Sequence, residues 1–509
     1  MDELKDLINI AFSDRIKKIE LLNGEDINRK SLPYRLADGI HKGKFGSDAE
    51  AAKALLDKTP SDSAYKMLKK RLKDKLYTTL LFMQSKNSDP NSYHHQAYEC
   101  YKLLAVAKML MSIGINKSGA RILNKVIQRS QPIELYELIE QAAILLRRET
   151  IQGGDYVRFQ EYNALFKEAN KKVAAEAKAE QMHYDIVLNF SHSLVPEKEL
   201  IEKLNKYKSK FEKLKEKYNT FNVSYYYFQF NVVYYQLMKE YGKSLEVSIQ
   251  FEKFIVDSGV FYNSVRQSNA LMVILDASLL AKNYQAGRDS AQKALEFQHK
   301  GSFNWYKTQE YYFLLCLNTA NLESAVISFK EVNEDPGFAK LHDNQKELWR
   351  VYGGYLWFLL LYSNKASLYP DLFGKGHSFR MSSLINDIPH YSKDTKGIKV
   401  AVLILQLLFF LLEEEFVEIT SRMEALRLYL YRYLSVEEAY RSHYFIKMLM
   451  VMDRYNFDPE KSHKMAARYL WKLLEANLQY TPTQTQIEIV PYEDLWTIIL
   501  KILNRKKNI

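Results

Sequence analysis

From about residue 90 onward, apolar side chains recur every three to four positions in long blocks, and short polar, glycine or proline stretches separate the blocks. That spacing predicts amphipathic helices. The first is a long helix over 93–113, followed by a turn at Gly114-Ile115-Asn116 and a second helix over 117–129. Ser130-Gln131-Pro132 breaks the pattern. The next helix runs to about 149, with a turn at Gly154-Asp155-Tyr156 and a helix lined by Phe159, Tyr162 and Phe166. A further pair is expected from a helix ending near 189, a break at Val195-Pro196 and a helix over 197–218 carrying Ile201, Leu204, Phe211, Leu214 and Tyr218. The most regular unit is 282–297, KNYQAGRDSAQKALEF, which follows an apolar helix over 265–281. Small residues at Gly287, Ala291 and Ala294 suit the crossing of two helices in a hairpin.

The flanks read differently. Residues 1–85 form an N-terminal helical subdomain. Leu4, Leu7, Ile8 and Ala11 share one helix face. Ser47-Asp48 can cap a short helix over 49–56, and a helix starting at Ser61 aligns Tyr65, Leu68, Leu72, Leu76 and Leu80. Residues 363–397, with Pro370, Gly374, Gly376, Pro389 and Gly397, are an irregular insertion holding one short helical candidate over 381–385. Helical hairpins resume over 398–480. A C-terminal extension, 481–509, begins with a linker at Thr481-Pro482, runs through a short extended stretch or strand over 486–490 and ends in a last helix over 492–503.

Aligning the turn residues gives a repeat. Ile115, Tyr156, Tyr241, Tyr284, Leu322, Phe416 and Phe457 each follow a long apolar helix and precede a second one. They are separated by 41, 85, 43, 38, 94 and 41 residues. The 85-residue gap holds one extra pair and the 94-residue gap holds the insertion. A period near 40 residues in helical pairs predicts an all-α solenoid covering 90–362 and 398–480. All eleven prolines fall at the proposed breaks, where they cost a helix nothing; inside one, each would cost about 3 kcal/mol.

Tyr284, Gly287, Ala294 and the helix end Lys293-Ala294-Leu295-Glu296 resemble a tetratricopeptide repeat: an aromatic residue at the turn, small residues where the helices cross, and a small-residue helix end. Leu322, Ala325, Phe329 and Val332 repeat the pattern less closely, and Gly154-Asp155-Tyr156 resembles the family turn with Phe159 in place of the small residue. Tyr156, Tyr241, Tyr284, Gly287, Ala294 and Ala325 are thus the expected structural positions. The resemblance implies a right-handed α-α superhelix of degenerate hairpins whose surface binds a protein or peptide. The period near 40 rather than 34 residues departs from the family.

Composition adds boundaries. The chain has 509 residues, too many for one compact core, and its scarcity of glycine (18) and proline (11) favours helix. Cys100 and Cys316 lie far apart in apolar helical contexts, as reduced core residues of a cytoplasmic protein. The N-terminus carries acids before any apolar run, unlike a signal peptide. The most apolar run, 400–412, would span roughly 20 Å as a helix, short of a bilayer core of roughly 30 Å, and Glu413, Glu414 and Glu415 follow it at once. A buried helix without membrane insertion is expected.

No catalytic constellation is found. The histidines make no metal motif, the cysteines have no ligand spacing, Gly374-Lys375-Gly376-His377-Ser378 lacks the phosphate-loop spacing, and Gly43-Lys44-Phe45-Gly46 has no strands around it. No enzyme activity and no cofactor are expected. The densest aromatic cluster contains Tyr225, Tyr226, Tyr227, Tyr234 and Tyr235; it suits packing between repeats or, in part, a peptide-binding groove. Lys66, Lys69, Lys70 and Lys73 form a basic helix face that could meet phosphates if 47–76 were a helix-turn-helix, although residues 1–80 carry only 17 basic against 13 acidic residues. The function expected is therefore a non-enzymatic scaffold or adaptor. The alternative is a transcriptional regulator with an N-terminal helix-turn-helix and a peptide-sensing repeat domain.

Overall fold

The structure, a computed structural model, describes residues 1, 3–5, 8, 31–81, 92–192, 197–373, 396–433, 440–475 and 488–507. The turn expected at Asn23-Gly24, the short helix over 381–385 and the linker at Thr481-Pro482 lie outside these residues, as does the expected boundary at 85–90. The described residues are all-α: helices and three short 3-10 turns, with no strand. Residues 488–490 are not a strand; they enter the last helix through a bend. The chain divides into two compact units, Met1–Ala174 and Ala175–Ile509.

In the first unit, α1 (Leu32–His41), α2 (Asp48–Leu56) and α3 (Ser63–Leu81) enclose a small core of Leu36, Ala37, Ile40, Ala51, Ala52, Tyr65, Leu68, Leu72 and Leu76. Ser31 and Ser47 cap α1 and α2 by accepting hydrogen bonds from the N–H groups of Tyr34 and Glu50. The hairpins follow: α4 (Tyr93–Ser112) with α5 (Asn116–Ser130), then α6 (Tyr136–Gly153) with α7 (Tyr156–His192).

Here the structure corrects the sequence reading. The extra helix expected to end near 189 is not separate, because α7 is one continuous helix of 37 residues, about 56 Å long. The stretch 168–182, EANKKVAAEAKAEQM, is rich in alanine and lysine and contains neither glycine nor proline, so no residue opposes continuation. One helix therefore closes the second hairpin and continues to where the next was expected to begin.

The second unit continues with α8 (Glu197–Tyr218), α9 (Phe221–Leu237), α10 (Tyr241–Val256), α11 (Ser264–Leu280), α12 (Tyr284–Phe297), α13 (Phe303–Asn318), α14 (Leu322–Asn333) and α15 (Asp343–Tyr362). It ends with α16 (Lys396–Glu413), α17 (Phe416–Tyr433), α18 (Tyr440–Arg454), α19 (Pro459–Glu475) and α20 (Tyr492–Lys507). Consecutive helices of this unit pack against one another. The apolar run 400–412 is buried on nearly every side of α16, as expected, and Glu413, Glu414 and Glu415 are exposed. Among the described residues no helix is long and apolar enough to cross a membrane.

One connection recurs. A residue in the left-handed conformation ends the helix, and the next N–H donates to the carbonyl five residues back. The left-handed residues are Gly114, Glu134, Gly154, Lys239, Lys282, Ala320, Asn364, Glu414 and Asn456. The bonds include Ile115 to Leu110 at 2.9 Å, Asn283 to Ser278 at 2.8 Å and Asn321 to Cys316 at 2.9 Å. This is a Schellman closure, which satisfies carbonyls at the helix end. Most of these residues are not glycine, so each non-glycine one costs about 1 kcal/mol of local strain.

The second helix then meets the first at a fixed position. Three residues after its first residue lie Gly119, Ser244, Gly287, Ala325 and Ser462, all buried, with Phe159 and Ile419 at the same place in the remaining hairpins. A methyl group on Gly287 would lie 3.0 Å from Ser278 Cβ of α11 and 2.2 Å from Leu315 Cδ2 of α13, in the next hairpin; on Gly119 it would lie 2.5 Å from Met111 Cγ of α4. The expected close crossing at Gly287, with Ala294 and Ala325 fully buried, is therefore present.

The C-terminal extension is built into the core. Arg441 of α18, 2% exposed, donates to both carboxylate oxygens of Glu488 at 2.7 and 2.8 Å and to the Leu473 carbonyl at 2.9 Å. Tyr492 stacks on Phe445 with ring centroids 4.4 Å apart, and Lys282 pairs with Asp494.

Two variants test the hairpin. Gly287→Leu is expected to overpack the crossing and cost about 1–3 kcal/mol, seen as a lower midpoint in denaturant. Ala320→Gly, at an exposed left-handed position, is expected to stabilise by up to about 1 kcal/mol. A destabilisation of the size glycine causes inside a helix would contradict the closure at that residue.

Candidate interaction surface

The sequence singles out two groups of side chains, and the structure puts each to use. Tyr225, Tyr226, Tyr227, Tyr234 and Tyr235 all lie on α9 and are half-buried. Tyr225 packs on Phe221 and Phe251. Tyr227 packs edge-on against Phe211, with Lys215 Nζ 4.3 Å from its ring centre. Tyr226 donates to Glu180 Oε1 at 2.9 Å, Tyr234 to Asn205 Oδ1 at 2.9 Å, and Lys208 donates to Tyr235 at 3.3 Å. The rings fill the space between α7, α8, α9 and α10, and the hydroxyl groups find polar partners at its rim. Burial raises the pKa of Tyr225, Tyr226 and Tyr227.

The basic face of α3 is partly consumed within its own subdomain. Lys69 donates to both oxygens of Asp48 at 2.8 and 2.9 Å, and Lys73 pairs with Glu3. Burial pushes the Asp48 carboxyl up, and hydrogen bonds from Lys69 and Tyr65 outweigh it, leaving the group below its ordinary value. Lys66 and Lys70 are exposed.

Of the structural positions, Tyr241 and Tyr284 start α10 and α12 half-buried, and Tyr284 shares a hydrogen bond of 2.8 Å with Ser324. Tyr156 starts α7 but is 71% exposed.

A third group was not visible in the sequence. The first helices of successive hairpins, α9, α11, α13 and α15, lie side by side and carry a row of polar groups. Gln236 of α9 donates to Asp276 of α11 at 2.8 Å. Burial raises the Asp276 pKa, with Gln236 and Lys307 of α13 pulling against it. Lys307 donates to Glu310 at 2.9 Å, and the other Glu310 oxygen accepts from Tyr352 of α15 at 2.8 Å. Behind this row, Gln309 joins α13 to α14 through Ser328 and Glu331, at 2.7 and 2.6 Å.

A cleft of about 30 Å³ opens beside Lys307 and Glu310, between the N-terminal halves of α13 and α15. Trp349 and Leu348 form its wall and Phe303, 71% exposed, stands at its rim. Below it Tyr306 donates to Asp335, whose carboxylate also accepts from the Gly337 N–H at 2.9 Å. The volume is about a tenth of the smallest drug-sized pockets, roughly 300–1,000 Å³. It admits part of one side chain, not a cofactor. Among the described residues no group of acids, histidines and cysteines is placed to hold a metal ion.

No single-residue pattern announces this row. Gln236, Asp276, Lys307 and Glu310 come from three helices and look like ordinary helix-face residues one by one. The signal present is positional: counted back from the turns, they lie on the helices that precede Tyr241, Tyr284 and Leu322.

No protein-family model, curated protein or solved structure matches the chain.

The tyrosine cluster generates a pH test. His183, buried on α7 with its ring 5.7 Å from Tyr226, has its pKa lowered by burial from 6.5 to about 4. Unfolded chains take up that proton below about 6.5 and the folded chain resists it, so stability falls as pH drops from 6.5 towards 4. The loss amounts to about 3 kcal/mol by linkage. His183→Phe is expected to flatten that part of the stability–pH curve; an unchanged slope would show that the imidazole is not buried neutral.

Proposed function

We propose that the chain is a non-enzymatic, tetratricopeptide-like scaffold or adaptor of the cytoplasm. In this reading an extended segment of a partner protein lies along the first helices of the hairpins in Ala175–Ile509. The observation that carries the reading is the row Gln236, Asp276, Lys307 and Glu310 across α9, α11 and α13. It continues into a cleft that admits part of one side chain beside an exposed Phe303. Gln236 and Glu310 are buried and hold the row together, and half-buried Lys307 presents its ammonium group at the cleft to an acceptor of an extended chain. The cleft beside them, walled by Leu348 and Trp349 and bordered by Lys307 and Glu310, supplies an anchor point, and buried anchors carry most of the energy in protein interfaces. Two buried free cysteines agree with a reducing compartment.

The regulator reading is weaker. Two of its four lysines spend their charge on Asp48 and Glu3, which removes them from phosphate contact.

The test is affinity capture from native lysate with the full chain, followed by mass spectrometry. The double variant Phe303→Ser, Lys307→Gln is compared with the wild type after confirming equal helicity and melting midpoint. A partner captured by the wild type and reduced at least tenfold by the variant supports the cleft. Equal capture by both would move the binding surface elsewhere.

A further inference from the structure

The turn that joins the two helices of a hairpin is treated differently in the two units. In Ala175–Ile509 the turn residue itself is packed, although Val417, which follows Phe416 as Val157 follows Tyr156, is 83% exposed. Leu322 is 6% exposed, Tyr284 bonds to Ser324, and Phe416 meets Phe457 with ring centroids 4.7 Å apart. In Met1–Ala174 the equivalent residues Ile115 and Tyr156 stand in solvent, and their neighbours Met109, Ile113, Ile151 and Val157 do the same. These six side chains are 45–71% exposed.

They share one edge. Tyr101 donates to Glu137 and Lys108 to Gln141, so α4 and α6 run side by side in the same direction. Tyr162 donates to Asn124 at 3.4 Å, which sets α7 beside α5. The turn after α4 and the turn after α6 therefore end together, and the six residues protrude from two adjacent tips. Lys117, Arg121, Arg148 and Arg158 are exposed around them. Of the nearby acids, Glu149 and Asp155 are partly buried, and Asp155 is taken up as a helix cap and by Arg158; Glu161, one turn further along α7, is exposed.

We infer that this edge docks onto the surface of a bilayer with anionic headgroups. Aliphatic tips plus one tyrosine are the side chains that sit below and at the headgroup level, and flanking Lys and Arg residues meet the negative surface. Knobs on separate turns need no complementary groove in a fluid interface. Docking is peripheral, since no described helix is long and apolar enough to span. It is independent of the cleft beside Lys307.

The experiment is co-sedimentation of the full chain with phosphatidylcholine vesicles, with and without about a third phosphatidylserine, at low and moderate salt. The wild type is expected to sediment with the anionic vesicles only, and more weakly as salt rises. Ile113→Ser, Ile151→Ser, Val157→Ser together are expected to weaken sedimentation at least tenfold, and Arg148→Gln, Arg158→Gln together to weaken it several-fold. All five positions are exposed, so circular dichroism and the melting midpoint should not change. The inference is overturned if the wild type ignores anionic vesicles at low salt, or if the triple serine variant binds as well as the wild type. It is also overturned if light scattering shows a dimer that the triple variant abolishes, which would make the edge a contact between two copies.

Discussion

Five of the hairpins depend on a close approach of two helices at one place. There the second helix crosses the first three residues after it starts, where a glycine, alanine or serine leaves room; Phe159 and Ile419 stand at the same place in two others. Gly119, Ser244, Gly287, Ala325 and Ser462 hold that position; at Gly287 a methyl group would lie 3.0 Å from Ser278 Cβ of the first helix and would collide with Leu315 of α13, in the next hairpin. The left-handed closure sets this register. It ends the first helix and turns the chain back within two residues, so the crossing falls at the same count each time. A core made of stacked pairs then needs no long-range pairing beyond neighbours.

That local rule leaves the contact between the first helices of neighbouring hairpins free to differ. Along α9, α11 and α13 it carries Gln236, Asp276, Lys307 and Glu310, joined into one row by hydrogen bonds and by the field of Lys307 at Asp276, with Gln236 and Glu310 buried. Polar groups held this way are costly to leave unsatisfied. Lys307 is held against Glu310 by a direct hydrogen bond and lies 4.8 Å from the ring centre of Tyr311, a geometry that fixes the ammonium group at the cleft mouth.

The C-terminal segment is where the repeat rule gives way to a single long-range device. Arg441 binds Glu488 through two parallel bonds and closes over the Leu473 carbonyl, in a site that water does not reach. Against burial, the fork, together with Glu493, holds Arg441 above its ordinary pKa, while burial still leaves the Glu488 carboxyl above the usual carboxylate range. The result places Tyr492 on Phe445 and buries Leu495, Trp496 and Ile499 in the same core as α15, α16 and α18.

Helix identity, the turn positions and the crossing at Gly287 were legible in the residues, because they depend on neighbours within one hairpin: periodicity, caps, prolines and small side chains act locally. The crossing position was in fact more legible than a search for glycine and alanine suggested, since Ser244 and Ser462 fill it too. The sequence could not show that α7 fuses two expected helices, because a missing breaker is a weak signal beside an expected repeat. Nor could it show that Lys69 and Lys73 are consumed by Asp48 and Glu3, which come from far away in the chain. The row from Gln236 to Glu310, the locking of Glu488 by Arg441 and the exposure of Tyr156 against the burial of Leu322 were all decided by tertiary structure. Each depends on which helix lies beside which, and hydrophobic periodicity fixes a helix's buried face without naming the neighbour that buries it.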